Sequence, residues 1–272
     1  GQLKLFAADL LDPSSFDAAV QGCAQVIHTA SPFIIKGFKD AHEAPVRPAV
    51  EGTEAVLLAC NRADSVRRVV VTSSVASVFG DNIEILQTAN GLFDESHWNT
   101  TSSVDHQPYS YSKVAAERKA WEIHQQQSRW SLVTINPSLV MGPSLTQQTQ
   151  STSIDVMRDL GSGAQRTGVP HLEFGLVDVR DVAEAHILAA FQPNLTGRFI
   201  VSAETGSLLK MAAILRTRFA QYPLPTMQVP KFLVRWLAPI VAGVSRKFID
   251  LNAGYRIDFN NTRARKELGL VF

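Results

Sequence analysis

Cysteine is scarce in this chain, and long apolar runs are missing. Cys23 and Cys60 are the only cysteines among 272 residues, and two are too few for the disulfide framework of a secreted scaffold. The longest apolar run, residues 236–244, is nine residues long and contains Pro239, whereas a helix that spans a membrane needs about 20 residues. We therefore expect a cytoplasmic protein without a membrane span.

An excess of one charge is also lacking. Lysine plus arginine total 26 and aspartate plus glutamate 25, a net charge of +1, so no attraction to nucleic acid is implied. The seven histidines follow no ligand spacing and no C-x-x-C pair occurs, so we predict no metal site. Basic residues around the 236–244 run leave attachment to a membrane surface open. We expect instead a helix packed near a substrate pocket; the basic residues are Lys231, Arg235, Arg246 and Lys247.

Predicted strands alternate with predicted helices along most of the chain. This alternation is typical of a parallel sheet covered by helices on both faces. Ligands of such sheets bind outside the carboxyl ends of the strands, so polar residues at those ends are candidate site residues. We predict strands at residues 3–10, 24–30, 67–74, 131–137, 172–177, 198–202 and 255–259, helices at 14–21, 45–63, 108–127 and 177–191, and a loop at 142–153.

Tyr109 and Lys113 lie four residues apart in a segment that starts with Pro108 and continues with good helix formers. Proline is favoured at the first helical position, and residues four apart share a helix face. A fixed cation near a phenol lowers the phenol pKa from about 10, which suits a group that gives or takes a proton. An exposed helix can carry this pair by chance, so the spacing alone does not identify a catalytic pair and other segments of the chain are needed as evidence.

Five segments follow one another in a recognisable order: HTASPF (28–33), VVVTSSVASVFG (69–80), Tyr109-x-x-x-Lys113, NPSLVMGP (136–143) and VDVRDVAEAH (177–186). Together they resemble the extended short-chain dehydrogenase/reductase family. Within that family, the chain is similar to the branch of dihydroflavonol 4-reductase and the yeast-type aldehyde/ketone reductases. The similarity covers most of the chain and is weakest from residue 205 onward.

The resemblance implies an α/β fold: a Rossmann-like, doubly wound parallel sheet that lacks its first two strands, with a smaller, mostly helical substrate-binding region. Residues 1–142 plus 172–202 would form the partial dinucleotide-binding domain, and residues 143–171 plus 203–272 the substrate-binding region. No glycine-rich turn follows the first predicted strand, so that strand matches the family's third. We expect an N-terminally truncated reductase that alone binds cofactor poorly, or a first strand that pairs instead with residues 24–30.

The resemblance also implies a catalytic set. Ser74 would donate a hydrogen bond to the substrate carbonyl oxygen, Tyr109 would deliver a proton to that oxygen, and Lys113 would hold the nicotinamide ribose and tune the tyrosine. Donors aimed at this oxygen help most in the transition state, where it carries more negative charge. Ser73 is the rival for the serine role, but strand alternation turns it the other way. His28 is expected as a strand-end residue rather than an acid or base.

The cofactor implied by the resemblance is NADP(H), with NAD(H) not excluded. Asp9 and Leu10, at the end of the first predicted strand, match the pair beside the adenine. Residues 29–31 match the turn under the pyrophosphate and ribose, and residues 137–140 match the stretch that flanks the nicotinamide. An aspartate at a strand end can also be a simple turn residue. The implied contacts are Asp9, Leu10, Thr29, Ala30, Ser31, Tyr109, Lys113, Pro137, Ser138, Leu139, Val140 and, more weakly, Ser153.

These matches predict an NAD(P)-dependent oxidoreductase, monomeric or homodimeric, that reduces a small aldehyde or ketone to an alcohol. Ser74, Phe79 and Tyr109 are the predicted substrate contacts. Phe79 stands where plant flavonoid enzymes carry asparagine, which disfavours a true dihydroflavonol substrate. Two alternatives remain open: a nucleotide-sugar epimerase or dehydratase that retains NAD, and a non-catalytic fragment that has lost cofactor binding.

Overall fold

Seven strands form two sheets in the computed structural model, which describes residues 2–31, 40–145, 151–241 and 244–272. The strands are β1 Gln25–His28, β2 Arg68–Thr72, β3 Ser131–Pro137, β4 Leu139–Met141, β5 Glu173–Asp178, β6 Gly197–Val201 and β7 Glu204–Ser207. The main sheet is parallel, in the order β1-β2-β3-β6. In the smaller sheet, β5 pairs parallel with β4 and antiparallel with β7.

The α-helices of the described residues connect these strands and cover them. They are α1 Asp17–Val20, α2 Arg47–Arg62, α3 Pro108–Gln125, α4 Thr152–Ser162, α5 Val179–Phe191, α6 Leu208–Arg216, α7 Lys231–Val241 and α8 Arg246–Asn252. Local chemistry sets several of their starts. For example, the Asp178 side chain accepts a hydrogen bond from Arg180 N and caps α5, as expected of an aspartate at this position.

Helices lie on both faces of the main sheet. Val69, Val71 and Leu132 pack in a buried cluster with residues of α2 and α3. The intervening residues Val70 and Val133 pack in a second cluster with residues of α5. β-Branched residues suit strands that are buried on both faces. The predicted α/β fold, a parallel sheet covered on both faces, is confirmed.

Most predicted elements are present, but two short strands were missed. β3 has the predicted bounds, and β1, β2, α2, α3 and α5 lie within a few residues of theirs. The sequence did not predict β4 or β7, which have three and four residues. A run this short is not long enough for an alternating pattern to be detected. Both strands exist because β5 offers them hydrogen-bonding partners.

Two predicted strands are wrong. Residues 3–10 form no strand, and Leu3 and Leu5 are 79% and 83% exposed; the alternative pairing of this segment with residues 24–30 is also wrong. Residues 255–259 contribute only an isolated bridge, between Phe93 and Phe259. Apolar alternation makes a segment able to pair, but a strand also needs a hydrogen-bonded neighbour in register over several residues. Among the described residues, the first segment has no such neighbour and the second pairs only at Phe93.

The predicted apolar segment begins in α7. Val234 and Ala238 pack against Ile249 of α8, whereas Phe232 and Trp236 are largely exposed. None of the helices in the described ranges is long and apolar enough to cross a bilayer. Parts of three predictions lie outside the described residues: positions 32–33 of the HTASPF segment, 146–150 of the predicted loop and 242–243 of the apolar run.

Candidate active site

The start of α3 is fixed to the loop that follows β2. Pro108 begins the helix, and its first turns carry Tyr109 and Lys113. The preceding residue, Gln107, has a left-handed backbone with φ 56°, a conformation that is costly for a residue with a side chain. Gln107 Nε2 donates to the Gly80 carbonyl at 2.6 Å. This bond ties the helix start to the loop and so sets where Tyr109 emerges.

Ser74 and Tyr109 meet between β2 and α3. The Ser74 hydroxyl lies near the Tyr109 phenol and, as a hydrogen-bonding neighbour, lowers its pKa. Ser74 Oγ also accepts the N–H of Ala76 at 3.1 Å, which leaves the hydroxyl proton of Ser74 available for donation. Ser73 faces the opposite way, as strand alternation predicts, and its Oγ donates to Glu117 at 2.5 Å.

Lys113 lies on the same face of α3 as Tyr109 and reaches the loop after β1. Lys113 Nζ donates to Ser31 Oγ at 2.9 Å and lies 5.5 Å from the centre of the Tyr109 ring. The lysine is buried. The structure therefore brings together four residues from three segments that sequence analysis assigned to one site: Ser31, Ser74, Tyr109 and Lys113.

Burial controls the protonation of these groups. It raises the pKa of the Tyr109 phenol, and the hydrogen bond from Ser74 offsets only part of this rise. The expectation of a lowered Tyr109 pKa is therefore wrong, because loss of hydration dominates. Burial lowers the pKa of Lys113 to about 8. Burial, together with the charge of Lys113, lowers the pKa of His28 to about 4, so His28 is neutral at pH 7.

A cavity of about 160 Å³ is lined by residues that flank Ser74 and Tyr109 in the sequence, although neither of these two residues lines it. Its lining includes residues directly after Ser74, residues close to Tyr109 in α3, and Phe79. Phe79 stacks on Phe93 with ring centres 4.4 Å apart and lies 5.7 Å from the ring of Phe259. This aromatic wall suits an apolar substrate, while the two hydroxyls can both be directed at one substrate oxygen.

One residue from the segment predicted to flank the nicotinamide, Leu139, lines this cavity. Pro137 ends β3. Ser138 is buried, and its Oγ has no hydrogen-bond partner among the described residues. Leu139, in β4, lines the cavity, whereas Val140 packs against the cluster on the α5 face of the main sheet. A buried hydroxyl without a partner is unusual, and Ser138 is therefore a position where a bound polar group would fit.

The other predicted cofactor contacts lie further out. Asp9 Oδ1 accepts the N–H of Leu11 at 2.9 Å, the turn geometry that was the alternative reading of this aspartate, and the Leu10 side chain lies against Gly52 of α2. Thr29 and Ala30 are exposed and border a separate cavity along β1. Ser153 lies in the first turn of α4. Ala30 also lines a small cleft together with Ser31 and Lys113, whereas no described contact joins the other four residues to Tyr109 or Lys113.

Sequence analysis missed the polar cluster behind the site. Glu117, four residues after Lys113 on the same helix face, is completely buried and forms an ion pair with Arg198 at 2.7 Å. Asn136 Nδ2 donates to Glu117 at 2.8 Å and to the Ser74 carbonyl at 3.2 Å. Glu117 continues the four-residue spacing of Tyr109 and Lys113, so it lies on the helix face that packs on the sheet. This spacing could have identified Glu117 from the sequence.

The sequence matches the profile of the 3-beta hydroxysteroid dehydrogenase/isomerase family over residues 2–196. It is 37% identical to cinnamoyl-CoA reductase of Medicago truncatula over 233 residues, which cover 85% of this chain and 68% of that protein. It is 30% identical to dihydroflavonol 4-reductase of Gerbera hybrida over 265 residues, 95% of this chain and 68% of that protein. The solved structure of yeast methylglyoxal/isovaleraldehyde reductase complexed with NADPH is 29% identical, with a TM-score of 0.76 over 97% of this chain and 78% of that one.

Proposed function

Because the chain belongs to the 3-beta hydroxysteroid dehydrogenase/isomerase family, and so to the NAD(P)-dependent oxidoreductases of the extended short-chain type, we propose that it reduces a carbonyl compound to an alcohol. Ser74 and Tyr109 are the proposed catalytic residues at the carbonyl oxygen, and Lys113 is the proposed cationic group beside them. The predicted resemblance to the reductase branch is confirmed by relatives named as reductases.

One observation carries the proposal: the Ser74 hydroxyl lies near the Tyr109 phenol, and the residues that flank both line a cavity with an aromatic wall. A carbonyl oxygen placed between them would accept two hydrogen bonds. That oxygen becomes more negative as the carbon is reduced, so two fixed donors stabilise the transition state more than the bound substrate. The raised pKa of Tyr109 keeps the phenol protonated at neutral pH, as a proton donor must be.

We infer that the cofactor is NADP(H), the group in the complex of the yeast reductase. Lys113 and Ser31 would hold its ribose and phosphate side, and Ser138 would bond its nicotinamide end. The lone buried hydroxyl of Ser138 supports this fit, because leaving such a group unpaired costs about 1–3 kcal/mol that a polar ligand would recover. When bound, the reduced cofactor supplies the hydride for the carbonyl carbon.

The proposed substrates are small aryl or branched alkyl aldehydes and ketones. The cavity is small, and Phe79 and its aromatic neighbours form a wall that offers no hydrogen-bond partner to a polar ring system. Phe248 and Asn252 also line the cavity, which supports the assignment of residues 203–272 to a substrate-binding region. Hydrophobic walls with a few placed polar groups are typical of small-molecule sites.

The test is NADPH oxidation by the protein that carries this chain, followed by absorbance with a panel of aryl aldehydes, branched alkyl aldehydes, ketones and a dihydroflavonol. We expect turnover of small apolar carbonyls with the alcohol as product, and little turnover of the dihydroflavonol. If the purified protein retains NAD and oxidises no NADPH with any carbonyl, the epimerase or dehydratase alternative would replace this proposal. Ser74→Ala serves as the control with a strongly reduced but measurable kcat.

A further inference from the structure

A fully buried carboxylate lies directly behind the proposed catalytic serine. The side chain of Glu117 is 0% exposed and that of its partner Arg198 is 7% exposed. Glu117 accepts hydrogen bonds from Ser73 Oγ at 2.5 Å, Thr134 Oγ1 at 3.0 Å and Asn136 Nδ2 at 2.8 Å, and from the hydroxyl of Ser77. One side chain of α3 thus binds β2, β3, β6 and the turn after β2 together.

The side chains on one face of the main sheet change from apolar to polar near Glu117. On the face that meets α2 and α3, Val69 and Val71 are apolar, and Leu132 begins β3 on that face. Two residues further along each strand, the same face carries Ser73 and Thr134, with Asn136 beyond. An apolar core would stabilise a sheet and helix without these polar groups, so their concentration at the carboxyl ends of the strands, next to the site, indicates a role in the site.

This cluster contacts Ser74 through its backbone. Ser77 Oγ lies 2.7 Å from the Ser74 carbonyl oxygen, and Asn136 Nδ2 lies 3.2 Å from the same oxygen. Both side chains also lie within hydrogen-bond distance of Glu117. The Asn136 amide has one proton for each of these two acceptors, whereas the single hydroxyl proton of Ser77 serves only one of them at a time. The Ser74 hydroxyl is thereby aimed by two contacts on opposite sides: the cluster holds its carbonyl, and the Ala76 N–H holds its Oγ.

Arg198 keeps the carboxylate charged and in place. The guanidinium donates from Nη1 to the Glu95 carbonyl at 2.9 Å and stacks on the Trp98 ring at 3.8 Å, so its own position is fixed. Burial raises the pKa of Glu117, but the Arg198 charge and the hydrogen bonds from Arg198, Ser73 and Ser77 turn the net direction downward. A charged carboxylate can only accept hydrogen bonds, so each hydroxyl or amide that bonds to it must direct a proton toward it.

We propose that Glu117 is a positioning residue for the reduction: its carboxylate holds Ser77 and Asn136, and through them the Ser74 backbone, so that the Ser74 hydroxyl faces Tyr109. This inference rests on the proposed function. Glu117 does not line the 160 Å³ cavity; it borders a small cleft beside Ser31 and Lys113, and the role proposed for it is exerted through Ser74.

The first test is a double-mutant comparison of Glu117→Gln and Ser74→Ala. Glutamine keeps the shape but replaces an acceptor oxygen by a donor, so we expect kcat to fall about tenfold or more, with NADPH affinity within about twofold of the parent. Because Glu117 acts through Ser74, the double variant should be no slower than Ser74→Ala alone. A kcat within about twofold of the parent, or losses that multiply in the double variant, would overturn the proposal.

Ser77→Ala is the milder variant if Glu117→Gln does not fold. It removes one hydroxyl between Glu117 and Ser74, and we expect about a fivefold loss of kcat that also disappears in the Ser74→Ala background. Glu122→Gln is the matched control, because Glu122 lies on the same helix, is 58% exposed and pairs only with Lys119 among its described contacts. It should leave kcat unchanged.

Hydrogen exchange separates this inference from the proposed function. In Glu117→Gln we expect faster amide exchange over residues 73–79, with the exchange of β1 and α5 unchanged. Exchange in residues 73–79 that equals the parent, or that rises equally throughout the sheet, would overturn the positioning role. This readout decides the role of Glu117 even if the parent reduces no carbonyl on the panel, a result that would refute the proposed function alone.

Discussion

Replacing Lys113 by methionine should stabilise the fold while abolishing the reductase activity. Lys113 is buried in α3, and its described contacts are one hydrogen bond to Ser31 and the Tyr109 ring. Burial lowers its pKa from 10.5 to about 8, so the protein pays for a charged lysine at neutral pH. Methionine fills similar space without a charge to desolvate.

The size of this effect follows from the pKa. A fall from 10.5 to about 8 corresponds to about 3 kcal/mol at about 1.4 kcal/mol per pKa unit. Between these two pH values the unfolded lysine binds a proton that the folded lysine has lost, so the stability of the parent rises with pH across this window. The stability advantage of Lys113→Met should therefore be greatest below pH 8 and shrink by about 3 kcal/mol as the pH approaches 10.5.

Urea unfolding of both proteins at several pH values from 7 to 10.5 measures this difference, because titrations common to both proteins cancel. Lys119→Met is the control on the same helix, since Lys119 is partly exposed and pairs with Glu122 at 2.9 Å; its stability relative to the parent should not rise at neutral pH. A Lys113→Met advantage that does not change with pH would refute the reasoning, as would full activity in this variant.

Three further predictions follow from the same structure. His28→Asn should lose less stability on acidification than the parent. The folded pKa of His28 is about 4, whereas the unfolded histidine takes up a proton as the pH falls below 6.5, so acidification lowers the free energy of unfolding of the parent by about 3 kcal/mol. An equal loss in both proteins, measured by urea unfolding, would refute this. Phe79→Ala should enlarge the cavity, cost about 2 kcal/mol and shift kcat/KM toward bulkier ketones; an unchanged preference would remove Phe79 from the pocket wall. Gly175→Ala should cost about 2 kcal/mol in unfolding experiments, because the added carbon would lie 2.7 Å from Ser138 and Phe259 atoms; a neutral result would show that the smaller sheet moves freely.

The main sheet was predictable because its strands carry their own signal. Val69, Val70 and Val71 are β-branched and buried on both faces, so the sequence alone indicates a central parallel strand. Residues 3–10 are also rich in apolar residues and were predicted as a strand, but they form none. The difference lies in the neighbour, which local sequence does not specify: β2 pairs with strands on both sides, whereas the first segment pairs with none in the described structure.

The proximity of Ser74, Tyr109 and Lys113 was predictable, but their electrostatics were not. Helical spacing brought Tyr109 and Lys113 to one face, and the family resemblance added Ser74. The direction of the Tyr109 pKa was not predictable, because it depends on how much water the fold removes from the phenol, a sum over distant residues. Glu117 and Arg198 are 81 residues apart, and a pair this distant gives no local pattern.

The kcat of Tyr109→Phe, in the protein that carries this chain, tests the proposed chemistry most directly. This change removes one hydroxyl and leaves the ring, the helix and Lys113 in place. We predict that kcat for carbonyl reduction falls by at least about 100-fold, while NADPH affinity stays within about threefold of the parent. Activity within about tenfold of the parent would contradict the assignment of Tyr109 as the proton donor.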